Sequence, residues 1–384
     1  MYRPGSSRGR TAEYRVRGPA DTKELVRALY KIYYRLKPCV EEPDSIANRE
    51  FAFQLFEPEA YVRHISFQSR GELQEYLARE APKNAYYSVA YYDLPEAKTM
   101  EEKGYRGAIL LFDLDLDHYE PCSENSQNVD GTLLLGDECL IEGLREVAKL
   151  EAMIRRDLKP EKIESYYTGH RGYHVRVHCK ACFELGREER RQIASYFAGE
   201  GVRVEALFPT GSIVRRGRKT RKMLDPAFPS PSDPGLRGWI ARILASRASG
   251  KPKGMREAFG QQWDVIVEDA IRQAIVPIDA MVTADPSRLT RIYGTLNGKG
   301  HFLVAPVREG FRPNLSLTPF QGEVEVEYNT RLEPISILSV EVSGAKGEHS
   351  SLPAGVALHL AGKGLVRITG GSILVRAYPC GRTL

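Results

Sequence analysis

The sequence predicts an α/β fold of the α+β kind: a mixed-sheet core carrying a small helical, basic insertion. Three observations predict it. Two segments, 21–36 and 136–157, repeat apolar residues at helical spacing. Between them lie short runs of β-branched and aromatic residues of strand length. From 320 to 376 such runs alternate with glycine turns. The 384 residues are 42% hydrophobic and 27% charged, which supplies a large core and excludes a disulfide-stapled miniprotein, a fibrous repeat and a disordered tail.

Residues 1–20, rich in Gly, Ser, Pro and Arg, read as a flexible basic arm, leaving 21–384 as one domain. Their first 18 positions hold five arginines and no apolar stretch of the signal-peptide kind. Leu25, Leu29, Ile32, Tyr33 and Leu36 then make a helix, with Asp21 or Thr22 as its N-cap. Residues 51–68 are strand-like, 69–80 helical and 86–92 strand-like. The apolar run 107–112 is a strand ending in Asp-Leu-Asp-Leu-Asp. Leu140, Leu144, Val147, Leu150 and Ile154 place a helix over 136–157, and strands 163–168 and 173–178 flank a glycine turn. Residues 206–262, with six prolines and a basic run, read as an inserted helical and basic subdomain. The apolar runs are too short to cross a bilayer, and six cysteines in a chain this long favour a reducing compartment. The expectation is therefore a cytoplasmic protein without a membrane partner. A net charge of +5 suits a nucleic-acid partner without requiring one.

Strand alternation puts Asp113, Asp115 and Asp117 on one face, with Leu114 and Leu116 toward the core. Neighbouring carboxylates repel unless a cation compensates them. Hard oxygen ligands suit Mg²⁺ or Mn²⁺, and two such ions about 3.5–4 Å apart can drive phosphoryl transfer. A solvated acidic strand end is the plain rival. A calcium loop is a second one, since Asp113, Asp115, Asp117 and Glu124 fall at its positions. It lacks the required glycine, which is replaced by His118.

The run from Tyr167 to His174 packs a hydroxyl, Thr168, and two glycines, Gly169 and Gly172, into a turn with Arg171 and His174. Glycines let backbone N–H groups approach phosphate, and arginine offers a planar fork to its oxygens. A purely structural hairpin fits the same residues. His170, His174 and His178 are four apart, but the surrounding glycines and valines argue for a strand rather than a zinc-binding helix face.

Several further stretches stand in order around these two motifs: Arg49-Glu50-Phe51-Ala52-Phe53, Arg63-His64-Ile65-Ser66-Phe67, Tyr86-Tyr87-Ser88, Met100 to Gly104, Ile278 to Thr283, and Arg288 to Arg291. Together the chain resembles the catalytic small subunit of archaeal–eukaryotic DNA primases, in its archaeal form, over about 25–310 and more weakly to about 367. The resemblance implies that Asp113, Asp115 and Asp279 are catalytic and hold two Mg²⁺ or Mn²⁺ ions. It implies that Thr168, Arg171, Gly172, His174 and Arg291 bind the nucleotide triphosphate, with Glu50 and Arg63 near the incoming nucleotide. Asn297 and Tyr293 stand where the family commonly has His and Pro. The implied enzyme is a DNA primase of the replication machinery, a template-dependent nucleotidyltransferase. It makes short RNA primers, with DNA as a second product, on single-stranded DNA. The implied partners are a primase large subunit, the single-stranded template, the RNA primer and nucleoside triphosphates. The alternative is a primase-polymerase of repair or plasmid replication that works without a large subunit.

Family relatives carry a Cys/His zinc stem between the two motifs. Here Cys122 and Cys139 remain while Gly136 occupies an earlier Cys position. Two thiolates cannot close a tetrahedral site. Cys179 and Cys182 could complete it, a disulfide or free thiols compete, and no stoichiometric structural zinc is expected. The run Arg215, Arg216, Arg218, Lys219, Arg221 and Lys222 is either a solvated loop or a phosphate track for template or primer.

Overall fold

The computed structural model describes residues 9–209, 212–214, 221–223, 225–378 and 380. It is α/β in the α+β sense that the sequence predicts. The sheets differ from expectation in one respect: every strand pairing among the described residues is antiparallel.

Three sheets organise the molecule. The first runs Ala305–Pro306, Lys162–Tyr167, Gly172–His178, Leu110–Asp115. The second runs Leu289–Arg291, Asn84–Ser88, Phe51–Gln54, Tyr61–Ile65. The third runs Arg10–Arg17, Val366–Ala377, Glu323–Tyr328, His349–Pro353, with Phe320–Gln321 also against Val366–Ala377. The first two meet where Ile109 N donates to Val89 O (3.1 Å) and Val89 N to Arg288 O (2.9 Å).

Helix Thr22–Arg35 starts on Asp21, whose carboxylate accepts from Glu24 N (2.9 Å), and it buries Leu25, Val26, Leu29, Tyr30, Tyr33 and Tyr34. Helix Asp137–Asp157 backs the acidic strand. A Cβ at Gly143 would lie 2.7 Å from a Leu116 methyl and 2.8 Å from the Tyr173 ring, so only glycine admits this approach. Tyr173 OH donates to Leu140 O (2.8 Å) and locks the pair. Asp137, at the helix N-terminus, accepts from Ser336 Oγ and the N–H groups of Leu338 and Ser339.

The structure corrects several expectations. Residues 10–17 are not a free arm: they pair along Val366–Ala377, from Arg10↔Ala377 to Arg17↔Gly370, with Ala12, Tyr14 and Val16 turned inward. The partner strand is too remote in sequence to be inferred locally. The run 107–112 is two strands, Tyr105–Ala108 and Leu110–Asp115, and 86–92 likewise divides into Asn84–Ser88 and Ala90–Tyr92. All six cysteines are bridged, Cys39–Cys380, Cys122–Cys139 and Cys179–Cys182. The reading of a reduced chain therefore fails, and the four sulfurs considered for zinc sit in two separate bridges. Between 204 and 274 lie helices Val204–Leu207, Gly235–Arg247, Met255–Phe259 and Trp263–Ala274. Strands Ser212–Val214 and Arg221–Met223 pair among them. Arg215, Arg216, Arg218 and Lys219 lie outside the described residues.

Candidate active site

The acidic strand and the turn strand run side by side in a register that places Asp113 opposite His174 and Asp115 opposite Gly172. A Cβ on Gly172 would come within 2.2 Å of Leu114 O, so the strands approach this closely only at a glycine. Asp279 joins them from another segment. Its N–H donates to Asp113 O (2.9 Å), and its carboxylate caps helix Ala280–Ala284 through Met281 N and Val282 N. Thr283 Oγ1 donates to Leu111 O (2.8 Å) and pins that helix to the acidic strand.

Asp113 feels this convergence. Burial, then the charges of Asp115 and Asp279, push its carboxyl up to about 7, against the pull of Arg291 and Arg288. Such mutual repulsion is what a hard cation would relieve, and the all-carboxylate donor set suits Mg²⁺ or Mn²⁺. Among the described residues no three His, Cys, Asp or Glu side chains form a closed metal cluster. Asp279 commits one oxygen to its helix cap. Asp117 does not share the strand face. The strand ends at Asp115, a 3-10 turn covers Leu116–His118, and Asp117 ion-pairs with Arg171 instead.

His174 lies beside the acids, with Nε2 3.7 Å from Asp113 Oδ1 and Nδ1 3.2 Å from Thr290 Oγ1. Burial and the nearby Arg291 push it down to about 3, so it is a neutral imidazole near pH 7. Arg291 crosses Tyr86 (5.0 Å to the ring centre) and donates to Asn84 Oδ1 (2.7 Å), which also accepts from Gly298 N (3.0 Å). Thr168 Oγ1 donates to Gly172 O (3.0 Å), so the hydroxyl closes the turn. Asn297 Nδ2 holds Thr168 O (2.8 Å). Arg171 Nε is buried and meets no acceptor among the described residues.

Glu50 is 1% exposed beneath Arg63 and Lys103, accepting from Arg63 Nε (3.0 Å) and pairing with Lys103 Nζ. Its carboxylate is covered by these two cations, and of the pair it is Arg63 that reaches the surface, with its side chain 43% exposed. His170 and His178 have separate partners. His178 Nε2 meets Glu164 at 3.0 Å, and His170 Nε2 lies 3.5 Å from Lys363 Nζ.

A family model for the DNA primase small subunit matches residues 112–309, the stretch that carries all three acids, the turn and Arg291. The chain is 48% identical over 353 residues to the DNA primase small subunit of Aeropyrum pernix, covering 91% of this chain and 95% of that one. This chain belongs to the DNA primase small subunit family. Relatives of the same description from Hyperthermus butylicus (32% identical; 90% and 96% covered) and Staphylothermus marinus (29%; 94% and 98%) match as fully. Its enzymatic activity is that of a DNA primase, primer synthesis in DNA replication, and its form is the archaeal one.

For this primase subunit, sequence reasoning found the residues that carry charge and missed those that hold them. Thr290, Asn84, Asp117 and Lys363 come from four distant segments. No local spacing links them to the turn, and only Asp117 and Thr290 stand within a motif.

Proposed function

We propose that this primase subunit copies single-stranded DNA into short RNA primers, with DNA primers as a second product, by two-metal nucleotidyl transfer. The observation that carries the reading is the meeting of the acidic strand with the glycine turn, Asp113 opposite His174 and Asp115 opposite Gly172, where Asp279 N–H also donates to Asp113 O (2.9 Å). Asp113, Asp115 and Asp279 would hold Mg²⁺ or Mn²⁺. When bound, the ions supply Lewis-acid activation of the primer 3′-hydroxyl and charge neutralisation at the leaving pyrophosphate. Arg171 and Arg291 grip triphosphate oxygens, and Arg63 stands near the incoming nucleotide. Neutral His174 takes part as a hydrogen-bonding group rather than a cation. Thr168 and Gly172 shape the turn that presents Arg171. Arg215, Arg216, Arg218, Lys219, Arg221 and Lys222 track template or primer phosphates.

Primer synthesis on single-stranded DNA with Mg²⁺ or Mn²⁺, comparing the parent with Asp115→Ala, tests the site. Loss of about a hundredfold or more in the variant is expected, and full activity would overturn the assignment. The relatives are called small subunits, and we extend that to a stable heterodimer of this chain with a large subunit. The chain alone then extends a primer efficiently and forms the first dinucleotide poorly. Unaided initiation as fast as extension would instead favour a primase-polymerase that needs no partner.

A further inference from the structure

Asp117 is the one acid of the 113–117 run that the reaction above does not use. Its backbone leaves the strand in the 3-10 turn at Leu116–His118, where Asp117 N donates to Asp115 Oδ1 (3.3 Å). The carboxylate then crosses to the neighbouring hairpin and pairs with Arg171 Nη2. Leu116 N also donates to Arg171 O (3.0 Å), so backbone and side chain are tied at the same place. The pair is largely enclosed, with the Asp117 side chain 15% and the Arg171 side chain 25% exposed. Beside it, Lys363 Nζ donates to Leu133 O (3.1 Å) and rests on His170, holding the tip of the turn from the other side.

A guanidinium fixed by a carboxylate has lost its rotamer freedom before a ligand arrives, and its remaining N–H groups keep a set direction. Here one Nη is taken while Nε remains a buried donor without an acceptor among the described residues. We propose that Asp117 is a positioning residue: it orients the Arg171 guanidinium so that its remaining donors meet the nucleotide's triphosphate. The proposal rests on the reading of Arg171 as a triphosphate ligand. Asp117 touches neither substrate nor metal in this role and acts through Arg171.

The test is steady-state primer extension by the full chain at saturating divalent cation, with nucleotide varied. Asp117→Ala should raise the nucleotide KM about tenfold and change kcat less than about threefold. Asp117→Asn, which keeps an acceptor oxygen, should recover most of the loss. In an Arg171→Ala background, Asp117→Ala should add little. A lowered KM in Asp117→Ala would show that the carboxylate competes for Arg171 and would overturn the proposal. So would an equal loss with Arg171 already removed, or a failure of the Asn variant to recover. An unchanged KM in Arg171→Ala sinks the underlying reading and the proposal together. A raised KM there, with Asp117→Ala unchanged, sinks the proposal alone. Should Asp117→Ala fail to fold, Asp117→Asn and the Arg171 variants carry the cycle.

Discussion

Asp113 is held near neutrality by burial and then by the neighbouring carboxylates, which gives two consequences of definite sign. Its folded carboxyl sits at about 7 against an ordinary 3.8. Between those values the folded protein holds a proton that the unfolded chain has released, so this group's contribution to stability falls as pH rises through that window. Asp113→Asn should therefore melt higher than the parent at pH 8 without divalent cation, by on the order of a few kcal/mol, and the gap should close toward pH 4. His174 works in the opposite sense. Held down to about 3, it contributes stability above its ordinary range that is lost as pH falls. It is present in both proteins and largely cancels from the comparison. Thermal melts across pH 4–8 measure the gap, and a constant difference would refute the account. The same variant should lose nucleotide addition while keeping its fold. At the phosphate end, Arg171→Ala should raise nucleotide KM much more than it weakens DNA binding, read by kinetics beside filter binding. Equal losses would move Arg171 to the template side.

Two strands, one turn and a capped helix make the site, and glycines decide how closely they pack. Gly172→Ala would press a methyl against Leu114 O, and alanine at Gly300 would stand 1.9 Å from Gly169 O. Neither neighbour is a flexible side-chain tip, so the backbone must shift in both places. Gly172→Ala should lower activity more than about tenfold and the melting temperature by several degrees, whereas Gly71→Ala should be neutral or slightly stabilising. Gly71 lies in helix Arg70–Glu80 with no atom nearer than 3.6 Å to a new Cβ, and alanine favours helix by up to about 1 kcal/mol. Activity assays and melts of the two variants separate close approach from a general intolerance of alanine. Periodicity made the long helices legible, since Thr22–Arg35 and Asp137–Asp157 each bury one stripe. It did not reveal the break at Ile109 or the end of the strand at Asp115, because both depend on what the neighbouring chain does.

The two ends of the molecule are joined twice, by strand Arg10–Arg17 on Val366–Ala377 and by the Cys39–Cys380 bridge across 341 residues of sequence. A cross-link over so long a loop removes unfolded-state entropy worth on the order of 5 kcal/mol in the chain-entropy account. The paired substitution Cys39→Ser with Cys380→Ser should lower the melting temperature clearly, while reductant should have little further effect from this bridge. Equal melting of parent and variant under oxidising conditions would contradict it. The third sheet also buttresses the site. Helix Ala354–Gly362 rises from it, with His359 Nδ1 at 2.8 Å from Gly300 O and Lys363 just beyond on the glycine turn. Among the described residues no helix is long and apolar enough to cross a membrane.

The sequence by itself determined the α/β class, the long helices, the acidic strand, the glycine turn and the charged residues of the candidate site. Those follow from periodicity, from the small set of residues that carry hard-metal and phosphate chemistry, and from a resemblance spread over several ordered motifs. Only the tertiary structure decided what each of those groups faces. Asp117 turns from the acids to Arg171, Glu50 is buried beneath Arg63, His174 is neutral, and Arg10–Arg17 is a strand rather than an arm. Each outcome depends on desolvation or on a partner tens to hundreds of positions away. A sequence states which groups can ionise or pair, whereas burial and distance select the ones that do.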